Sequence, residues 1–116
     1  LRKPSSTNSE NEQALHNYCD AAYTLSLISG RWKLSILASI QNGAHRFSLL
    51  KSAVPLVTER ILAMQLLDLE KSELIVKFKN PDHGRSATYR LSGKGLSLMP
   101  LIEQLAIWGI ENKKDS

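Results

Sequence analysis

The chain is poor in the features that mark secretion, membranes and catalysis. Its 116 residues include a single cysteine, Cys19, so no internal disulfide framework can form. No apolar run reaches the roughly 18–20 residues that a membrane span needs, and no membrane partner is expected. Leu1-Arg2-Lys3-Pro4 leads into no apolar signal core, so the expected localisation is cytoplasmic. The glycines make no phosphate-cradling loop: Gly93 and Gly95 flank Lys94 without the Walker spacing. There is no internal repeat. His16 and Cys19 stand three residues apart, but neither an orienting carboxylate nor a third ligand at metal spacing accompanies them. His45 and His83 are isolated. An enzyme is therefore not expected, nor is a cofactor or a metal.

What is present fits one compact domain, with 42% hydrophobic residues and a net charge of +4. That excess of 15 basic over 11 acidic residues permits a polyanion partner without requiring one. Residues 1–13 are polar and bury too little to offset their ordering entropy, which predicts a mobile tail ahead of a domain spanning 14–116.

Apolar periodicity predicts a helix from Cys19 to Ile28, closed by Ser29-Gly30, and a second from Arg31 to Ile40 followed by Gly43. Ser48 is the expected N-cap of a third helix that ends at Pro55. Thr58 is the expected cap of a fourth, running to Lys71. Strands at Leu74–Lys79 and Ala87–Leu91 flank the turn signal Asn80–Gly84. Ser92 caps a last helix reaching about Ile110, with Pro100 inside it as a source of a kink. Its apolar stripe is too wide for one small core to cover. The result is a mainly α fold with a small β-hairpin. Helix, short turn, helix, basic hairpin is the order of a winged helix-turn-helix.

On a wheel of ~100° per residue, Leu62, Leu66 and Leu69 form the buried seam of the fourth helix. Arg60, Met64, Leu67 and Lys71 point the opposite way. Recognition helices meet base edges with their N-terminal residues. Thr58, Glu59, Arg60 and Ala63 are therefore the candidate readers of a DNA groove. Arg60 is suited to guanine or phosphate, and Ala63 to a thymine methyl. Lys77, Lys79 and Arg85 on the hairpin are candidate phosphate contacts, joined by Arg46 and Ser48 at the start of the third helix. A different reading takes the hairpin lysines as edge protection and the fold as a protein-interaction module, with Met64 and Leu67 docking a partner.

These residues resemble the HxlR family of winged-helix transcription regulators, which are related to MarR. The likeness lies in Cys19, in Ile28-Ser29-Gly30-Arg31-Trp32-Lys33 and in Arg46-Phe47-Ser48-Leu49-Leu50. It continues through Leu62, Leu66, Leu69-Glu70, Tyr89-Arg90-Leu91-Ser92-Gly93-Lys94-Gly95 and Trp108-Gly109. The resemblance implies a homodimer bound to an inverted repeat in double-stranded promoter DNA. Its first and last helices would form the interface, through Leu25, Leu101, Leu105 and Trp108. It also implies an oxidant or small-molecule effector, with Cys19 at the position that senses oxidants in several members. A thiol near the N-terminus of the first helix would feel the positive end of the helix dipole. The alternative reading of Cys19 is a small hydrophobe packed at the interface. The chain departs from the family pattern at Glu73, where glycine is usual, at Asp20, where proline often follows the cysteine, and at Leu67, where a basic or polar residue is common. It also lacks the Pro-Pro pair frequent in the hairpin.

Overall fold

The computed structural model describes residues 6–80 and 86–114, with side chains described from Asn11 onward. Five helices and one antiparallel hairpin follow one another: α1 (Ser6–Ile28), α2 (Lys33–Gln41), α3 (Phe47–Ala53), α4 (Glu59–Lys71), β1 (Ile75–Lys79), β2 (Ala87–Leu91) and α5 (Gly93–Asn112). This is the winged helix-turn-helix arrangement.

The helix-turn-helix is α3, the turn around Pro55 and α4. Thr58 caps α4 as expected, its hydroxyl accepting from the Ile61 N–H at 3.1 Å. In the turn, the Lys51 ammonium donates to the Pro55 carbonyl at 3.1 Å and satisfies an acceptor that no helix bond reaches. Leu62, Leu66 and Leu69 turn inward against Ile36, Leu37 and Ile40 of α2, Leu50 of α3, and Leu74, Ile75 and Tyr89 of the hairpin. Burying each such leucine or isoleucine contributes about 1.5–3 kcal/mol before the cost of ordering it. Met99 and Ile102 of α5 and Ile28 of α1 close the same core.

The hairpin pairs Ile75 with Leu91, Lys77 with Tyr89 and Lys79 with Ala87. A further edge contact extends β2 on its other side, where the Tyr89 N–H donates to the His45 carbonyl at 2.7 Å. One residue from the α2–α3 loop thus anchors the wing to the helical body.

The expected helices differ from the observed ones mainly at their starts. α1 begins at Ser6 rather than Cys19. The polar segment expected as a tail over residues 1–13 is thus helical from Ser6, while residues 1–5 lie outside the described part. No proline or glycine interrupts residues 5–29, and Gln13 donates to Asn17 one turn away at 3.2 Å. Cys19 therefore lies in mid-helix, and the dipole argument, which holds only for the first turn, does not apply to it. α3 starts at Phe47 with Arg46 at the N-cap, so Ser48 is inside the helix and caps nothing. α2 starts at Lys33, two residues later than expected. α5 runs through Pro100 to Asn112.

The subunit is extended rather than compact. Its radius of gyration is 18.7 Å, against about 13 Å for a compact chain of this length. α1 meets the core only near its end, through Ile28 and Leu27. Along most of its length its apolar residues are left open by the described residues: Leu15, Tyr18, Tyr23 and Leu25 are exposed.

Candidate nucleic-acid interface

The α4 helix presents its first turn to solvent. Thr58, Glu59, Arg60 and Ala63 are all exposed, as are Met64 and Leu67 further along. Arg60, Met64 and Leu67 lie opposite the buried leucine seam, with Thr58 and Glu59 at the N-terminal tip and Ala63 flanking, so holding the seam in the core fixes which way this face points. Asp68 is turned aside toward α2, where its carboxylate meets the Lys33 ammonium at 3.7 Å. This pairing draws an acid away from the outward face.

The opposite end of α4 is fastened by a C-terminal turn of Schellman type. The Leu74 N–H donates to the Leu69 carbonyl and the Glu73 N–H to the Glu70 carbonyl, both at 3.0 Å. That geometry needs a left-handed residue, and Glu73 supplies it with φ +63°. The departure from glycine at this position therefore leaves the turn intact, at the cost of holding a side chain in an unfavourable conformation.

The next three carbonyls are claimed by the start of α5. Lys94 donates its ammonium to the Ser72 carbonyl at 3.1 Å. The Ser92 hydroxyl donates to the Glu73 carbonyl at 2.5 Å and accepts from the Gly95 N–H at 2.9 Å, capping α5. The Ser92 N–H donates to the Leu74 carbonyl at 3.0 Å. Gly95 is required by this closeness: a Cβ there would stand 2.1 Å from the Leu74 oxygen. The Ser-Gly-Lys-Gly segment is thus a clamp joining the end of the outward helix to the last helix.

The start of α3 and the hairpin enclose an open cleft. Arg46, Phe47 and Ser48 line one side, and Lys77, Ser86, Ala87 and Tyr89 the other. The side chains of β1 alternate, so Lys77 and Lys79 share one face while Val76 and Phe78 occupy the other. Lys77 stands over the Tyr89 ring, with its nitrogen 5.9 Å from the centroid. The cleft is therefore cationic at both walls and carries hydroxyls at Ser48 and Ser86, a donor set suited to phosphate oxygens.

The structure brings Arg46, Ser48 and Lys77 together, which their separation in sequence did not reveal. Lys79 lies farther along the hairpin on the Lys77 face. Arg90, also basic, pairs in register with Val76 and lines a different depression with Gln41 and His45, away from this cleft. Arg85 and the rest of the hairpin tip lie outside the described residues. Cys19 is exposed on α1 and belongs to neither surface. Sequence reasoning missed Tyr89 as the platform under Lys77. Its place opposite Lys77 follows only once the hairpin register is known.

Leu25, Leu101, Leu105 and Trp108, the expected interface residues, are all exposed, on α1 and α5. Leu105 also borders a shallow apolar groove between α2 and α5, lined by Leu34, Ala38 and Ile102.

Comparison with known proteins places this arrangement. The family described as HxlR-like helix-turn-helix matches residues 27–116. The HTH-type transcriptional regulator YdzF of Bacillus subtilis is 38% identical over 89 residues, which cover 76% of this chain and 82% of that protein. An HTH-type transcriptional regulator of Methanothermobacter thermautotrophicus is 33% identical over 91 residues, covering 78% and 70% respectively. Among solved structures, the redox regulator HypR in its reduced form superposes with a TM-score of 0.76 at 27% identity, over 82% of this chain and 94% of that one. The chain therefore belongs to the HxlR family of helix-turn-helix transcriptional regulators.

Proposed function

We propose that this regulator works as a homodimer on an inverted repeat in promoter DNA. Each subunit lays the first turn of α4 in the major groove and grips the adjoining backbone with the cleft between α3 and the wing. The observations that carry this reading are the convergence of Arg46, Ser48 and Lys77 on one cleft and the exposure of the start of α4. Thr58, Glu59, Arg60 and Ala63 read base edges, and Arg60 has the fork geometry for guanine. Lys77, Arg46 and Ser48 hold phosphates, joined by Lys79 and by Arg85. The uncovered apolar side chains of α1 and α5 support pairing of two copies through Leu25, Leu101, Leu105 and Trp108. Two recognition helices related by a two-fold axis call for half-sites about 10–10.5 base pairs apart, or a multiple. The exposed Cys19 thiol is the point at which an oxidant would act on the dimer.

A salt titration of duplex binding tests the reading. With about 6–8 phosphates neutralised, log K falls against log salt with a slope near −5 to −7. Arg46→Ala and Lys77→Ala should each flatten that slope by about one unit and weaken all sequences alike. Absence of duplex binding at low salt would instead favour the protein-interaction module.

A further inference from the structure

The outermost row of α4 is apolar in its middle and basic at its ends. Arg60, Met64, Leu67 and Lys71 follow one another along the side opposite the buried seam, and all four are exposed. Met64 is 53% exposed and Leu67 50%, so about half of each residue is open to a partner. The two cations are about 16 Å apart along the helix axis. Asp68, the acid nearest the row, is drawn off by Lys33.

Neither a thioether nor an isobutyl group can hydrogen-bond to a base edge. The apolar feature of the major groove is the C5-methyl of thymine. A row one side chain wide, with a cation at each end, on a subunit that also carries a cationic cleft, is complementary to a polyanion carrying an apolar centre. A protein groove would meet those cations with less to offset them. We propose that Met64 and Leu67 read thymine methyl groups, so that the half-site is rich in A·T pairs beyond the positions that Arg60 contacts. This rests on the DNA-binding reading above and adds to it a specificity that the charged residues cannot supply.

The test uses the full chain and a pool of randomised duplexes. Duplexes selected at moderate salt should be enriched in thymine within each half-site. Uracil substituted for those thymines removes only the methyl group. At ~0.8 kcal/mol for each apolar carbon taken from water, the affinity should fall about four-fold per methyl. The double variant Met64→Ala, Leu67→Ala alters only exposed positions, and circular dichroism verifies its fold. It should lose the uracil sensitivity of the thymines that face Met64 and Leu67 and keep only that of a thymine facing Ala63. If the unaltered protein binds both duplexes with equal affinity, or if the double variant is as sensitive to uracil as the unaltered protein at every thymine, Met64 and Leu67 do not read methyl groups, although DNA binding itself stands. If no duplex is bound even at low salt, the DNA-binding reading fails along with this one, and the row is left as a protein-docking surface.

Discussion

The two ends of α5 live in opposite surroundings. At its start, the Ser92 hydroxyl is shared between the Glu73 carbonyl and the Gly95 N–H, Lys94 reaches the Ser72 carbonyl, and Gly95 is packed against the backbone of Leu74. Toward its end, Leu105, Ile107, Trp108 and Ile110 are all exposed. One end is complete within a single chain. The other carries apolar surface that the chain does not cover, and α1 carries more of it at Leu15, Tyr18, Tyr23 and Leu25. The difference separates two tasks. The helix-turn-helix and its wing are held by contacts inside one subunit, so the orientation of the reading helix is set before any partner arrives. The outer helices carry apolar surface that these contacts leave exposed and that the proposed pairing of two copies would bury. Because α5 belongs to both, a displacement of its C-terminal half within an assembly bears directly on the clamp that holds the end of α4.

The strongest way to break the finished end is Gly95→Ala. The new methyl would meet the Leu74 carbonyl oxygen at 2.1 Å, and backbone, unlike the tip of a flexible side chain, has little room to give. Either the α5 start lifts or the Ser92–Leu74 bond is lost, and the hairpin root moves with it. Destabilisation of about 3 kcal/mol is expected, at the top of the usual range for overpacking. Urea unfolding followed by circular dichroism measures it. A midpoint close to that of the unaltered protein would show that the two backbones are free to separate.

The uncovered end should respond in the opposite sense. Trp108 is 69% exposed, so Trp108→Ala should leave the unfolding midpoint of the isolated subunit almost unchanged. If α5 pairs with a second copy, the same change removes a large aromatic anchor and weakens association by about 2 kcal/mol, roughly thirty-fold. Sedimentation velocity across a concentration series separates the two effects. An unchanged association constant would move the interface away from Trp108.

The same division explains how much of the molecule was legible in the sequence. Features set by neighbours along the chain could be read directly. Thr58 and Ser92 cap the helices that they precede, Gly30 and Gly43 take positive φ, and the Leu62-Leu66-Leu69 seam is buried. The hairpin limits were also evident, because turn residues and β-rich runs are local signals. The start of α1 was not, since residues 6–13 have no apolar period and only weak helix propensity speaks for them. Ser48 was misread as a cap because Arg46, a residue with no capping preference, takes that place. The cationic cleft itself was half visible. Its basic members stood out by composition, but the meeting of Arg46 with Lys77 depends on the Tyr89–His45 backbone bond between distant segments, for which no residue type is diagnostic.

The smallest expected effect is the most discriminating test of the clamp. Glu73 is the one described non-glycine residue with positive φ, and it lies where α4 ends and the clamp begins. The conformation is imposed by its surroundings: the Leu74 N–H must reach the Leu69 carbonyl while Ser92 holds the carbonyl of Glu73 itself. Glycine adopts this conformation without steric penalty, although it loses more backbone entropy on folding. The left-handed penalty of roughly 1–2 kcal/mol for a side chain-bearing residue outweighs that loss. Glu73→Gly should therefore stabilise the subunit, by about 1 kcal/mol at most, and raise the unfolding midpoint by a few degrees. It also removes an acid from the surface without touching the cleft, so duplex affinity should change little. Destabilisation would mean that the glutamate side chain makes a contribution beyond its backbone angle, and that the turn is held by more than the three carbonyls and the residues of α5 that bind them.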